Sequence, residues 1–216
     1  MLAGKKLVDL SYSIYHEMPT YPPDPKVGIV VYSTVKSLGY NETQVLMGTH
    51  SSTHMDAPFH VMDGRMRIDE VPMEKCVGEA IVIDMTHKKP REEIAVSDLL
   101  PFKDDIRELR RIILDTGWYK KWEKPGFFTE FPGITVETAE WLVQNDIVLL
   151  GTDTPALNAD AEISRLAHIA LFKNNAVLVE YLTNLDEVKG KKVLFVALPL
   201  KIRQRDGSPI RAIAIV

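Results

Sequence analysis

Apolar positions in this chain fall in short, β-branched runs separated by polar turns. The runs stand at Lys6 to Leu10, Val27 to Tyr32, Ala80 to Asp84, Arg111 to Asp115, Ile147 to Leu150, Ala176 to Tyr181, Lys192 to Leu198 and Ile210 to Val216. Runs of this length and composition predict strands. Two stretches carry a helical period instead. Val136 to Asn145 lies behind a Thr135 cap, and Glu162 to Lys173 ends before Asn174 and Asn175, residues suited to a C-terminal stop. Helix and strand therefore alternate through the second half, which predicts an α/β fold.

At roughly 150 residues per domain, 216 residues predict one domain spanning 1–216. A hydrophobic fraction of 45% and a charged fraction of 26% exclude disordered, collagen-like and coiled-coil classes. The piece Pro19 to Pro25, PTYPPDP, reads as a rigid exposed loop, and Lys88 to Glu93 and Lys103 to Arg111 read as solvated faces. A net charge of -4 supplies no broad basic field, so nucleic acid and anionic membranes are not the expected partners and a small-molecule substrate is. The single cysteine, Cys76, cannot close an internal disulfide and reads as a buried thiol. The opening MLAGKKLVDLSYS has no apolar signal-peptide core, and no apolar run approaches the roughly 20 residues of a membrane span, so the expected location is cytoplasmic.

Histidine changes the picture. The chain has six, and three fall within HSSTHMDAPFH, His50 to His60. His50, His54, Asp56 and His60 share parity, so a straight strand would put them on one face. It would also separate His50 from His54 by roughly 13 Å at about 3.3 Å per residue, too far for two ligands of one ion. A straight helix places Asp56 about 240° around from His50, and Pro58 disfavours helix at Ala57. The consistent reading is a turn through Ser51, Ser52 and Thr53 that folds His54 back toward His50, so that two imidazoles and a carboxylate converge.

Two further residues join them. Glu180 lies in AVLVEYL, an apolar run of the kind expected for a strand buried on both faces, where a carboxylate without a partner is costly and a cation is the natural compensation. His168 sits among the apolar residues of LAHIALF. Nitrogen and oxygen ligands without cysteine suit an open, catalytic Zn²⁺ or Mn²⁺ site, with one ion or a close pair, rather than a closed structural zinc. Two other readings of these residues stay open: a non-haem Fe(II) oxygenase built on His50, His54 and Asp56, and a non-catalytic metal-containing protein that binds small molecules. Asp153, in GTDTP after a predicted strand, reads either as a support for the site or as a loop cap.

The segment His50-Ser-Ser-Thr-His54-Met-Asp56-Ala-Pro58-Phe-His60 resembles the HxGTHxDAPxH motif of the cyclase-like metal-dependent hydrolases, which include bacterial kynurenine formamidases and isatin hydrolases. The likeness continues through VDLSYSIYHEMPTYP, FPGITVETAEWLV, LLGTDTPALN, HIALFKNNAVLVEYLTNLDEV, ALPL and DGSPIRAIAI. It implies a compact α/β domain with a mixed β-sheet and flanking helices, assembled as a homodimer or homotetramer. It also implies metal ligands at His50, His54, Asp56, His168 and Glu180, with Asp56 and Glu180 able to bridge two ions, and His60 as the acid/base residue. The implied reaction is cleavage of an aryl formamide or cyclic amide C–N bond by attack of metal-bound hydroxide. Two positions depart from the pattern. Ser52 stands where the motif has glycine, and Tyr21 stands where kynurenine formamidases carry a tryptophan, which makes Tyr21 the candidate substrate-binding residue.

Overall fold

The computed structural model describes residues 4–216, so the first three residues of the N-terminal segment lie outside it. In chain order the strands are β1 (Leu7–Asp9), β2 (Gly28–Ser33), β3 (Glu42–Leu46), β4 (His54–Asp56), β5 (Val77–Asp84), β6 (Glu93–Ile94), β7 (Arg111–Asp115), β8 (Gly133–Ile134), β9 (Leu149–Thr152), β10 (Val177–Glu180), β11 (Lys192–Val196), β12 (Gly207–Pro209) and β13 (Ile213–Ile215). The helices are α1 (Val35–Leu38), α2 (Met73–Cys76), α3 (Val96–Leu99), α4 (Lys103–Leu109), α5 (Val136–Gln144) and α6 (Ala161–Phe172).

Nine strands form one mixed sheet in the order β1-β13-β11-β5-β7-β9-β10-β4-β12. Its centre, β5-β7-β9-β10, is parallel, and the outer pairings are antiparallel. Parallel strands need helical crossovers that cover the sheet, which is why the central strands read as nearly unbroken apolar runs. The residues of β9 and β10 are buried without exception. One apolar layer lies where α4, α5 and α6 cover the sheet and includes Ile83, Ile112, Leu142, Leu150, Leu171 and Leu178. The other includes Val82, Ile113, Val177, Val179, Phe195 and Ala214. The expected α/β fold with a mixed sheet and flanking helices is the observed one.

Local chemistry fixes the two long helices as expected. Thr135 Oγ1 accepts the Thr138 amide at the start of α5, and Asp160 Oδ1 accepts the amides of Glu162 and Ile163 at the start of α6. Past the end of α6, Asn175 takes a left-handed φ of 55°. One surface reading needs correction. Lys103 to Arg111 is not merely a solvated face: it forms α4, which buries Ile106 and Leu109 against the sheet, and then enters β7. Tyr21, Pro23 and Asp24 of the Pro19 to Pro25 loop line a cavity.

Among the described residues no helix is long and apolar enough to cross a membrane. Cys76 is buried, as its context implies.

Candidate metal centre

The turn at Ser51 to Thr53 exists and brings the His50 and His54 rings to 5.1 Å between centroids. Ser52 makes that reversal with φ of 62°, the left-handed region that favours glycine, which explains the glycine of the related motif at this position. Beyond the turn the chain enters β4, where His54 and Asp56 are two residues apart and so point to the same side. Antiparallel register sets Glu180 of β10 directly opposite His54. The helix α6 crosses from β9 to β10 and carries His168 over the same spot. Four elements thus deliver the cluster.

Within it, His54 Nε2 lies 3.1 Å from Asp56 Oδ1 and 3.5 Å from Glu180 Oε2. His168 Nε2 lies 3.6 Å from Glu180 Oε1 and 3.8 Å from Asp56 Oδ2. Each carboxylate therefore turns one oxygen toward each histidine. His50 Nδ1 lies 2.7 Å from Asp56 Oδ1. His60 stacks beside His50 at 3.9 Å between ring centroids, on the exposed side of the cluster. Two groups, His50–Asp56–His60 and His54–Asp56–Glu180, each present ligand atoms within 4.8 Å of one another, and Asp56 belongs to both.

Whether these residues suit a cation is decided by their hydrogen bonding. His54 Nδ1 is 2.9 Å from the Ser52 carbonyl and His168 Nδ1 is 2.7 Å from the Ser164 carbonyl. A carbonyl only accepts, so each Nδ1 carries a hydrogen and each ring turns its other nitrogen, Nε2, toward the carboxylates. His54 Nε2 and Glu180 Oε1 are buried with no hydrogen-bond partner. Ring nitrogens and carboxylate oxygens gathered in a buried site call for a positive charge between them. The donor set fits a divalent cation such as Zn²⁺ or Mn²⁺.

The titration behaviour has the same cause. Burial works against a charged His50, but Asp56 and Asp206 outweigh it and hold its pKa up at about 10. Burial alone would raise Asp56, yet His50 and His54 bring it well below the usual carboxylate range. Glu180 is raised, chiefly by burial. His60 is pushed down to about 4 by the protein packed around it and by its histidine neighbours, against the pull of Asp56, so its ring is neutral at pH 7.

One carboxylate escaped the sequence reading. Asp206 Oδ2 accepts from His50 Nε2 at 2.5 Å and from Thr49 Oγ1 at 2.7 Å. It fixes the ring so that Nδ1 faces Asp56, the arrangement by which an outer carboxylate orients a metal-binding histidine. Next to it, Gly207 leaves room for that ring, since a Cβ there would sit 2.8 Å from His50 Cε1. The usable signal was the DG pair of DGSPIR, whose acid and glycine have separate tasks. Asp206→Asn is expected to weaken metal affinity about 10- to 100-fold, as loss of such partners does, with the fold intact. Competition against a chromogenic chelator measures this, and unchanged affinity would remove Asp206 from the site.

Asp153 does not join the cluster. It is fully buried and accepts from the Thr116 amide, the Thr116 hydroxyl and the Tyr119 amide, so it ties the segment after β7 to the end of β9. Burial raises its pKa to about 6.

The cluster opens into a cavity of about 290 Å³ lined by Tyr21, Asp24, Arg165 and Tyr181 as well as by its own histidines. Tyr21 meets Phe128 edge-on at 6.1 Å and is half-buried in this wall. Asp24, Arg165 and Tyr181 are wall residues that sequence reasoning did not single out.

A mixed α/β sheet that delivers imidazoles and carboxylates to the floor of one cavity is an arrangement suited to a metal-dependent hydrolase. Comparison with known proteins agrees. The family model described as "Putative cyclase" matches residues 8–159. A kynurenine formamidase from Bacillus cytotoxicus is 30% identical over 98% of both chains, and cyclase-like protein 1 of Oryza sativa subsp. japonica is 30% identical over 98% of this chain and 79% of its own. Among solved structures, an isatin hydrolase bound to the product analogue thioisatinate superposes with a TM-score of 0.89 at 26% identity, covering 99% of this chain and 93% of that one. A structure described as a potential metal-dependent hydrolase with cyclase activity does so with a TM-score of 0.78 at 25% identity over 98% of each. The chain belongs to the cyclase family.

Proposed function

We propose that this protein hydrolyses the C–N bond of a small amide, either an aryl formamide such as N-formylkynurenine or a cyclic amide such as isatin. The observation that carries the reading is the pair of buried, partnerless ligand atoms, His54 Nε2 and Glu180 Oε1, on the floor of a cavity. The names of the kynurenine formamidase and isatin hydrolase relatives support the choice of bond. A cavity of about 290 Å³ is at the small end of ligand pockets, about 300 to 1,000 Å³, which suits a one- or two-ring substrate.

His50, His54, Asp56, His168 and Glu180 would hold the metal, Zn²⁺ in one or two copies or else Mn²⁺. When bound, such an ion supplies a Lewis acid for the carbonyl oxygen and lowers the pKa of water from about 15.7 to about 7. The chain's own residues do the rest. His60, neutral and open to the cavity, takes a proton from water at its free nitrogen and returns it to the departing amide nitrogen. His54 and His168 are held in one tautomer by the Ser52 and Ser164 carbonyls, so no reorientation is needed during turnover. Tyr21, opposite the cluster, borders the substrate's ring. A cytoplasmic location belongs to the same proposal.

The test is a hydrolysis screen of the metal-loaded protein against N-formylkynurenine, isatin and small lactams. The expected result is turnover of at least one, with a free carboxylate or formate as product. Failure on all of them would refute the amide reading. Oxygen-dependent turnover would point instead to the oxygenase that His50, His54 and Asp56 allow by themselves.

A further inference from the structure

Consecutive residues of a regular strand point to opposite faces of the sheet. Glu180 and Tyr181 depart from that rule, because both line the same cavity. The cause is a break in the backbone. Tyr181 has φ of 57°, in the left-handed region that a bulky side chain rarely occupies, and it is buried. Its ring lies 5.5 Å from that of His54 between centroids and is backed by Trp122 and Phe127. A backbone in this conformation persists only where its surroundings hold it.

Thr53 supplies the hold. β10 pairs with β4 through Leu178 with Asp56, Val179 with Met55 and Glu180 with His54, so the next residues in register are Tyr181 and Thr53. There the backbone ladder stops and a side chain takes over. Thr53 Oγ1 donates to the Tyr181 carbonyl at 2.7 Å, while the Tyr181 amide turns aside to the Thr154 carbonyl. The same hydroxyl accepts the Tyr12 amide at 3.0 Å, and the Thr53 carbonyl accepts the Ile210 amide. The segments after β1, β10 and β12 therefore meet at this one residue, which is 1% exposed. Its neighbours in the chain are the ligand His54 and Ser52, the other left-handed residue of the site. One hydroxyl thus joins the kink in the histidine turn to the kink behind Glu180.

We propose that Thr53 is a positioning residue of the metal centre, whose hydroxyl holds Glu180 against His54 and keeps the Tyr181 ring in the cavity wall. The role requires a group that donates and accepts at once. Serine meets that requirement. Valine, of nearly the same shape, does not, and would leave the Tyr181 carbonyl and the Tyr12 amide buried without a partner. Thr138 provides a matched comparison. It is equally buried and its hydroxyl donates to the Ile94 carbonyl at 3.0 Å, but it sits on α5, which gives no residue to the cavity.

The proposal rests on the metal reading of the site and not on the choice of substrate, so it is tested with Zn²⁺ alone. Zn²⁺ affinity by competition against a chromogenic chelator, and the thermal midpoint, are measured for Thr53→Val, Thr53→Ser and Thr138→Val. Thr53→Val is expected to bind Zn²⁺ about 10- to 100-fold more weakly, the loss usual when a supporting contact of a metal site is removed. Thr53→Ser is expected to restore wild-type affinity, and Thr138→Val to lose thermal stability with affinity unchanged. If Thr53→Val does not fold, Thr53→Ala takes its place with the same expected loss. A folded variant without the hydroxyl that binds Zn²⁺ like the wild type would overturn the proposal. So would an equal loss in Thr138→Val, or a loss that serine does not restore. A wild-type protein that takes up no Zn²⁺ would refute the metal centre itself, and the proposal with it, before any variant is compared.

Discussion

Asp56→Asn is expected to release the metal and reduce hydrolysis to background in the same step. Asp56 is the one residue shared by both ligand groups, with Oδ1 toward His50 and His54 and Oδ2 toward His168. It is also 1% exposed, so no water can take over its charge. An amide of the same shape keeps the backbone pairing of β4 to β10 and β12 but is a poor ligand for a borderline cation. The affinity loss should exceed the ~10- to 100-fold expected when only an orienting partner is removed. Elemental analysis of the purified variant and its rate on the best substrate check this together. Normal metal content would show that the cluster is held by something other than its carboxylates.

His60→Ala separates chemistry from metal binding. His60 ends a short 3-10 turn formed by residues Pro58–His60 and is the most exposed of the histidines that line the cavity. As the proton carrier, its loss should lower kcat by about 10²- to 10⁴-fold with the metal retained. His50→Ala should lose metal and activity together, because Asp56 and Asp206 then face an empty position. The grouping of His60 with His50 and Asp56 makes the opposite outcome informative. A His60→Ala protein that loses its metal makes His60 a ligand, and one with normal turnover removes it from the mechanism.

Much of this was legible in the sequence because the strongest constraints are local. The turn between His50 and His54 follows from the failure of both straight strand and straight helix, and Glu180 announced itself as a carboxylate inside an apolar strand. The helices α5 and α6 were readable from their caps and period. The short strands β4 and β12 were not, since three residues of HMD or GSP carry no alternation to read. Their positions come from pairing with β10, a long-range contact. Asp206 was hidden for a related reason: it meets His50 from 156 residues away, and only the fold brings the DG pair to the ring. The helix α4 was masked by charges on its solvent side, with only Ile106 and Leu109 turned inward. The apolar run from Val27 to Tyr32 predicted strand β2 correctly but gave no sign that Val30, Val31 and Tyr32 are exposed, because burial is a property of the whole structure.

The most direct test of the central claim is a titration of metal-free protein with Zn²⁺ or Mn²⁺, following bound metal and the rate of amide hydrolysis in the same samples. The account predicts no turnover in the stripped protein and a rate that rises with occupancy of the His50, His54, Asp56, His168 and Glu180 site until it saturates. Full turnover in a preparation verified to contain no metal would contradict it.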